Sequence, residues 1–306
     1  MLVINVRNVL IGMILSAVLV GVASCGGGGG SDNSAPAAMV IRSASLTGAQ
    51  ASTGSTGTGR GAVVVNPTMD INGNRDITGG VTFTGLTTAP TGAHIHRLDG
   101  SIAISLVQAA DNAVATIPAN TTLSDTDYAQ LLAGYLYFNV HSSGTTGGCA
   151  PPANCANGEI RGQINLTTPV VAGLATLNGA QETPPIMTTA TGRGTVVVDP
   201  ADPLNLQILI GYVTYTVTNE TVAHIHTGAP GASGPANVVT LALDTANNIA
   251  TAPQGAKITP QNLTDLSAGG TYFNVHSSNT TADPTGPCAP PIDCTKGEIR
   301  GQIVIQ

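Results

Sequence analysis

Residues 223–226 read Ala-His-Ile-His, and residues 272–276 read Tyr-Phe-Asn-Val-His. The same two segments occur earlier in the chain, at residues 93–96 and 137–141. The two copies together use all six histidines of the 306-residue sequence, three in each copy. Because short segments of alternating apolar and polar residues are typical of β-strands, we expect all six histidines to lie on strands.

The spacing of the histidines predicts that they converge. Side chains two positions apart on a strand point to the same face of the sheet, so His94 and His96 share a face. The same rule places His141 on one face of its strand together with Tyr137 and Asn139. If the two segments are neighbouring strands, the three imidazoles meet on one face, and the second copy repeats the arrangement.

Three convergent neutral imidazoles are a ligand set for copper or Zn(II), with a fourth position left for water or another side chain. We therefore predict one copper or zinc ion in each copy. The predicted ligands are His94, His96, His141, His224, His226 and His276. The alternative is a structural role, in which the imidazoles hydrogen-bond backbone groups or the carboxylates of Glu159 and Glu298.

Further residues of these sites are predicted from the same segments. A ligating imidazole usually donates its other N–H to a neighbouring group, which gives Asn139 and Asn274 a supporting role. Each copy also ends in Gly-Glu-Ile-Arg-Gly-Gln-Ile, whose glutamate and arginine share a face. These residues are Glu159 and Arg161 in the first copy, and Glu298 and Arg300 in the second. We expect these residues to form cross-strand ion pairs that contribute little to the stability of the fold. The functional alternative is that the carboxylate supplies the fourth metal ligand or orients a ligating histidine.

The chain after its N-terminal segment is a tandem repeat. Each copy opens with Leu-x-Gly-Ala-Gln, continues through Gly-Arg-Gly and a run of valines, and then carries the histidine segments. Many short segments alternate apolar or aromatic residues with threonine, and one short helix per copy is expected, at residues 124–133 and 259–267. This pattern predicts an all-β fold of two tandem domains, at residues 39–169 and 170–306, each a β-sandwich with Greek-key connections; a barrel with the same connections is the alternative.

The composition supports this fold class and excludes others. Only 9% of the residues are charged, and the chain has 38 glycines, 19 prolines and no tryptophan, a profile that favours strands and turns. Lysine and arginine together number 10 against 17 acidic residues, so a basic surface for nucleic acid is not expected. The sequence has no nucleophile triad, Gly-x-Ser-x-Gly motif or phosphate-binding loop, and we predict no catalytic residue.

The N-terminal segment predicts export. Residues 1–24 resemble a lipoprotein signal peptide, with Arg7 before an apolar run that is too short to favour a membrane-spanning helix. Residues 22–25, Val-Ala-Ser-Cys, resemble the lipobox of bacterial lipoproteins, in which the cysteine, here Cys25, is lipidated; an ordinary signal peptide is the alternative. Residues 25–38 form a tether rich in glycine and serine. We therefore expect a lipid-anchored protein of the bacterial cell envelope, at the periplasmic or surface face of the outer membrane.

The other four cysteines form two close pairs, each with five residues between the sulfurs. The pairs are Cys149 with Cys155, and Cys288 with Cys294. In an exported protein this spacing predicts two small disulfide loops, each of which stabilises the fold by roughly 2–3 kcal/mol. Ligation of a metal ion by the thiolates is the alternative.

The order of these motifs resembles a known family. Ala-His-Ile-His, Tyr-Phe-Asn-Val-His-Ser and Gly-Glu-Ile-Arg-Gly-Gln-Ile look like the CHRD domain, which is named after chordin, a secreted antagonist of growth factors, and also occurs in bacterial exported proteins. The resemblance implies an immunoglobulin-like β fold and an extracytoplasmic module, and it brings no catalytic activity. The second copy fits the family's opening better, because Glu182 precedes Thr-Pro-Pro there, whereas the first copy has Ala51 at that position.

The predicted function is that of an exported, lipid-anchored, non-catalytic binding or structural protein of the cell envelope with two CHRD domains. Its expected partners are the membrane, through the N-terminal acyl anchor, and a protein or polysaccharide ligand, but not nucleic acid. The main alternative is a copper- or zinc-dependent redox or hydrolytic enzyme that uses the same histidine triads. A third interpretation is an adhesion or scaffold module whose histidines are structural.

Overall fold

The computed structural model describes residues 38–109, 113–143, 158–165, 167, 169–201, 206–234, 237–278 and 297–306. Residues 37–306 belong to one compact unit. The predictions for the signal peptide, for Cys25 and for the two cysteine loops lie outside the described residues. Within the described ranges the chain forms 19 β-strands and two short α-helices.

Both repeats consist almost entirely of strands. The strands of the first repeat are β1 (Val40–Thr47), β2 (Thr58–Met69), β3 (Arg75–Thr84), β4 (Pro90–His96), β5 (Ile102–Ser105), β6 (Val107–Gln108), β7 (Val114–Thr116), β8 (Thr122–Leu123), β9 (Tyr137–Ser142) and β10 (Ile160–Gln163). Those of the second are β11 (Val171–Asn178), β12 (Thr191–Asp199), β13 (Gln207–Tyr215), β14 (Glu220–Thr227), β15 (Asn237–Asp244), β16 (Ile249–Thr251), β17 (Thr271–Ser277), β18 (Ile299–Gln302) and β19 (Val304–Ile305). The helices are α1 (Asp125–Leu132) and α2 (Pro260–Ser267), and a 3₁₀ turn spans Gly179–Gln181.

In the second repeat the strands close into a barrel. The order around it is β11-β12-β13-β16-β15-β14-β17-β18, every neighbouring pair is antiparallel, and β18 pairs back with β11. Strands β14 to β16 lie in reverse order beside β13, which is a Greek-key arrangement. The first repeat has the same order, with the short strands β5 and β6 in the place of β15. The prediction of an all-β fold with two tandem Greek-key domains is therefore confirmed.

Both predicted helices are confirmed, and their sequences explain where they begin. The Ser124 side chain accepts a hydrogen bond from the backbone N–H of Asp127 and caps α1. Thr259 and Asn262 form a reciprocal capping box at the start of α2, with Pro260 in its first turn. These caps satisfy backbone N–H groups that have no partner within a helix, and they support helices of only eight residues.

Each barrel is filled by the side chains that alternate with the histidines. Ile95, Phe138 and Val140 are fully buried in the core of the first repeat. Their counterparts in the second core are Ile225, Phe273 and Val275. Full burial of such a side chain stabilises a fold by about 1.5–3 kcal/mol. The same alternation leaves the histidines on the outer face of the barrel, as their spacing predicts.

The two repeats pack against each other through β2 and β3 of the first and β12 and β13 of the second. We call this contact the inter-repeat seam. Its buried apolar residues are Ala62, Val64, Ala109, Val114, Ala172, Val197, Leu209, Ile210, Tyr212 and Ile249. Because these side chains point away from the barrel interiors, the seam is a third apolar core to which both repeats contribute.

The polar contacts of the seam centre on Tyr212. Its hydroxyl lies 2.5 Å from the Thr78 hydroxyl and accepts a hydrogen bond from the backbone N–H of Gly79 at 3.1 Å. Ion pairs at the margins join Arg60 to Asp199 and Arg193 to Asp76. Ion pairs this exposed contribute about 0–1 kcal/mol each, so the apolar cluster and the buried hydroxyl network supply most of the stability of the seam.

We predict that Tyr212→Phe destabilises the protein by about 1–3 kcal/mol, because it leaves the buried N–H of Gly79 without its acceptor. Urea unfolding measures the change. The matched control is Tyr135→Phe, since Tyr135 is 50% exposed and its change is expected to stay within about 0.5 kcal/mol. Equal stabilities for the two variants would show that the Tyr212 hydroxyl does not hold the repeats together.

Candidate metal centres

The first histidine triad is assembled by the pairing of β4 with β9. In this register His94 lies opposite Asn139 and His96 opposite Tyr137. The ring centroid of His94 is 5.4 Å from that of His96 and 5.1 Å from that of His141, and those of His96 and His141 are 6.0 Å apart. One ring nitrogen from each of the three lies within 4.8 Å of the others. The predicted convergence of the three imidazoles is therefore present.

The second triad repeats this geometry on β14 and β17. His224 lies opposite Asn274, and its ring centroid is 5.1 Å from that of His226 and 5.4 Å from that of His276. One nitrogen of each ring again lies within 4.8 Å of the others. Bonds of about 2.0–2.1 Å to a tetrahedral ion place ligand nitrogens roughly 3.4 Å apart, so small side-chain rotations bring either triad onto a metal ion.

Burial keeps the imidazoles of the first triad in the neutral form that binds metal ions. The pKa of His141 is lowered to about 4, first by burial and then by the neighbouring charges of His94 and His96. Burial also lowers the pKa of His94, with a smaller contribution from His96. It lowers the pKa of His96 despite the hydrogen bond to Gly100, and the positive charge of Arg161 acts in the same direction.

The ring nitrogens of His96 and His94 provide a direct test of whether a metal ion fits. His96 Nδ1 lies 2.9 Å from the carbonyl oxygen of Gly100, which places the proton on Nδ1 and the lone pair on Nε2. Nε2 of His96 and Nδ1 of His94 are buried, and neither has a hydrogen-bond partner among the described residues. A buried polar atom without a partner is costly, and a metal ion satisfies such lone pairs. The residues of the triad therefore fit a metal ion.

Each triad is braced by a stacked tyrosine and arginine. The ring of Tyr137 stacks on His96 with centroids 5.3 Å apart and planes 12° apart, and the Arg161 guanidinium lies 3.5 Å above the Tyr137 ring. In the second repeat Tyr272 stacks on His226 at 5.2 Å, and Arg300 lies 3.6 Å above it. These stacks restrict the rotation of one histidine of each triad. Sequence reasoning missed them, although the strand parity places each tyrosine on the histidine face.

Comparison with known families agrees with the motifs on these strands. The family model of the CHRD domain matches residues 42–164 and 174–283. The chain belongs to the CHRD domain family. The two matches confirm the predicted tandem arrangement of CHRD domains. No curated protein and no solved structure matches the chain. Neither helix of the described ranges has the length and apolar composition that a membrane-spanning helix requires.

The cross-strand ion pairs predicted for Glu159 and Arg161 of the first CHRD domain are not formed among the described residues, so this prediction is wrong. The Glu159 carboxylate accepts hydrogen bonds from the hydroxyls of Ser142, Ser55 and Thr87 and from the backbone N–H of Thr87. Arg161 instead stacks on the tyrosine described above. The hydroxyls around the carboxylate satisfy its hydrogen-bonding capacity, and the Tyr137 ring takes the guanidinium, so neither group has an oppositely charged partner in the described ranges.

The cross-strand ion pairs predicted for Glu298 and Arg300 of the second CHRD domain are also not formed within the part of the chain that the structure describes. Glu298 accepts hydrogen bonds from the hydroxyls of Thr188 and Ser277. Arg300 donates hydrogen bonds to the carbonyl oxygens of Ala229 and Ala232 and to the side chain of Gln302. Among the described residues no carboxylate joins either group of potential ligands. The two glutamates are thus held by hydroxyls, and each connects the strand of the third histidine to the opening segment of its domain.

The asparagines occupy the centre of each histidine face. Asn139 and Asn274 are buried, and their amide atoms make no hydrogen bond of regular geometry with the described residues. Gly158 and Gly297 pack directly against them, since a β-carbon on these glycines would lie 1.9 Å and 1.5 Å from the respective amide oxygens. Each asparagine therefore depends on a glycine of the Gly-Glu-Ile-Arg segment for its space. Their supporting role at a metal ion stays a prediction.

We predict that Glu159→Gln lowers the stability at pH 7 by about 2 kcal/mol or more, because the hydroxyls lose a charged acceptor. Burial acts to raise the pKa of Glu159, but the hydrogen bonds from Ser142, Ser55 and Thr87 outweigh it and hold the pKa below the ordinary 4.5. A depressed folded pKa contributes stability that is present above pH 4.5 and is lost as the pH falls through the folded value.

The measurement is urea unfolding of both proteins between pH 7 and pH 3. The difference between the wild type and Glu159→Gln is expected to shrink as the pH falls. Asp265→Asn is the control, because this carboxylate accepts a hydrogen bond only from the exposed Gln261 side chain among the described residues. A pH-independent difference would contradict the assignment of the hydrogen bonds to the ionised carboxylate.

Proposed function

We propose that this protein is an exported, lipid-anchored, non-catalytic metal-binding protein of the bacterial cell envelope. Each CHRD domain holds one copper or zinc ion through its histidine triad. The observation that carries the proposal is the presence of two equivalent triads on corresponding strand pairs. In the first triad, His94 Nδ1 and His96 Nε2 are buried without a hydrogen-bond partner among the described residues. Imidazole nitrogens are ligands that both metal ions accept.

The surroundings of the triads favour a binding or structural role over catalysis. Glu159 accepts a hydrogen bond from Ser142, the residue after the third histidine of the first domain, and its hydrogen bonds hold its pKa low. A carboxylate in that state does not serve as a general acid near neutral pH. The residues of each domain therefore bind and orient: three imidazoles donate lone pairs, and the stacked tyrosine and the Gly100 carbonyl fix the ring of His96.

One observation favours the enzyme as a second candidate. Each group contains three ligand side chains within the described residues, and three protein ligands with an open fourth position are typical of catalytic zinc and of redox copper sites. A copper- or zinc-dependent redox or hydrolytic enzyme would use that position for its substrate. Redox and hydrolytic assays of the metal-loaded protein distinguish the two candidates. Turnover that disappears when two histidines of each triad are replaced by alanine would establish the enzyme.

The proposed location rests on the N-terminal sequence. The lipobox-like residues before Cys25 and the tether that follows support an acyl anchor that holds the CHRD domains away from the membrane surface. The outer membrane is the proposed site. The proposed partner besides the membrane is a protein or polysaccharide of the envelope, and the proposed disulfides join Cys149 to Cys155 and Cys288 to Cys294.

The test of metal binding uses protein comprising residues 37–306, with free thiols alkylated so that cysteine does not bind the ion. After loading with Zn(II) or Cu(II) and dialysis, we expect two metal ions per chain by elemental analysis. His94→Ala/His96→Ala and His224→Ala/His226→Ala are each expected to retain one, because each removes two of three ligands from one triad.

The control for folding is the circular dichroism spectrum of each variant without metal. Retention of two ions by either double variant would place the metal elsewhere in the chain. Retention of none by the wild type would leave the histidines structural and direct the search to protein or polysaccharide partners.

We predict that Cys25→Ala releases the full-length protein from the membrane fraction, because the acyl chains are attached to this residue. Detergent phase partitioning and mass spectrometry of the N-terminal peptide measure the loss of the lipid. A Ser24→Ala variant is the matched control and is expected to stay lipidated, since alanine keeps a small residue before the cysteine. Equal partitioning of the wild type and Cys25→Ala into the aqueous phase would contradict the anchor.

A further inference from the structure

The two CHRD domains differ at one buried position beside their histidine faces. The opening segments are held alike, because Gln50 donates a hydrogen bond to the carbonyl of Ser45 at 2.8 Å and Gln181 donates to that of Thr176 at 2.7 Å. The next residue is Ala51 in the first domain and Glu182 in the second. Both are buried, at 5% and 4% exposure. A methyl group and a carboxylate therefore occupy the same place in two otherwise similar sites.

Glu182 converges with Asn274 over Gly297. A β-carbon on Gly297 would lie 1.5 Å from the amide oxygen of Asn274 and 2.8 Å from Oε1 of Glu182, so these two polar groups face each other across the glycine. Interactions with the Asn274 side chain and the Gly297 backbone N–H act to lower the pKa of Glu182, against the larger effect of its burial. In the first domain the corresponding glycine meets Asn139, and no carboxylate is present at Ala51.

Asn274 lies between this carboxylate and the second triad. It lies opposite His224 in the pairing of β14 with β17, and between Tyr272 and His276 on the same face of its strand. Directly opposite residues in antiparallel strands have β-carbons about 4.5–5.5 Å apart. Glu182 is therefore one residue removed from a metal ligand, which is the position of the partners that orient and charge-balance metal sites.

The balance of charge also differs between the two domains. Arg300 lies opposite Asn274, and its positive charge acts to lower the pKa of Glu182, against the larger effect of burial. Arg161 lies opposite Asn139 and stacks on Tyr137, but no carboxylate of the described residues forms an ion pair with it. A divalent cation that enters the second site therefore meets one buried carboxylate, that of Glu182, which has no counterpart at Ala51 in the first site.

We propose that the two metal sites are not equivalent, and that Glu182 makes the site of the second CHRD domain bind divalent metal ions more tightly than that of the first. The inference rests on the proposed metal binding. Glu182 is a positioning residue: it acts through Asn274 and through its charge, and it is not a ligand. Loss of such an outer partner reduces metal affinity by about 10–100-fold, so we expect a difference between the sites of at least about tenfold.

The experiment measures the affinity of each site for Zn(II) alone by competition with a chromophoric chelator at pH 8. That pH lies above the pKa of Glu182, which burial raises to about 7. Both variants are made in protein that comprises residues 37–306. In the His94→Ala/His96→Ala variant only the second triad is intact, so the measured affinity is that of the second site. In the His224→Ala/His226→Ala variant the measured affinity is that of the first site. Glu182→Gln is added to each background, since the amide has the same shape without the charge.

We expect the Zn(II) dissociation constant of the second site to be at least about tenfold lower than that of the first. Glu182→Gln is expected to raise the dissociation constant of the second site about tenfold and to leave that of the first site unchanged. The matched control is Glu220→Gln, which removes the charge of a different carboxylate, at the start of β14. It is expected to leave the dissociation constants of both sites unchanged. If Glu182→Gln does not fold, Glu182→Ala installs the residue that the first domain carries at this position. The circular dichroism spectrum of each metal-free variant checks folding.

Equal dissociation constants for the two sites would overturn the inference and leave the proposed function intact. A difference between the two dissociation constants that persists in the Glu182 variants would have the same meaning. An absence of Zn(II) binding in both backgrounds would instead overturn the proposed function itself. A loss of affinity at the first site in Glu182→Gln would show that the substitution acts through the fold as a whole, and would also overturn the positioning role.

Discussion

The antiparallel pairing of β4 with β9, and of β14 with β17, is the constraint on which the rest of each domain depends. Side chains alternate between the faces of a strand, so a single register places three imidazoles outside and the apolar partners, such as Ile95 and Phe138, inside. A shift by one residue would exchange the two sets. The free energy of filling the barrel therefore fixes the register that brings the histidines of each triad together.

Much of this arrangement can be predicted from the sequence, because it depends on local rules. The alternation of apolar and polar residues gives the strands and their faces, and Ser124 and Thr259 mark the helix starts through their caps. What escapes prediction depends on contacts between distant segments. The hydroxyls that hold Glu159 come partly from Ser55 and Thr87, far away in the sequence, and no pattern near residue 159 reveals them. The predicted ion pair failed for that reason.

The inter-repeat seam shows how a duplicated sequence produces a contact with itself. Arg60 and Arg193 are the central residues of the two Gly-Arg-Gly motifs, and each forms an ion pair with an aspartate of the other repeat. A surface that contacts its own copy resembles the two-fold interface of a homodimer, here formed within one chain. The strands on the seam carry apolar residues on both faces, which explains why the valine runs after these motifs are continuous and do not alternate with polar residues.

The seam also fixes the direction in which the two histidine faces point. Strands β2 and β3 lie half-way around their barrel from β4 and β9, and β12 and β13 lie half-way around theirs from β14 and β17. The two histidine faces therefore point outward at opposite poles, with both barrels between them. One small molecule therefore cannot contact both histidine triads at once.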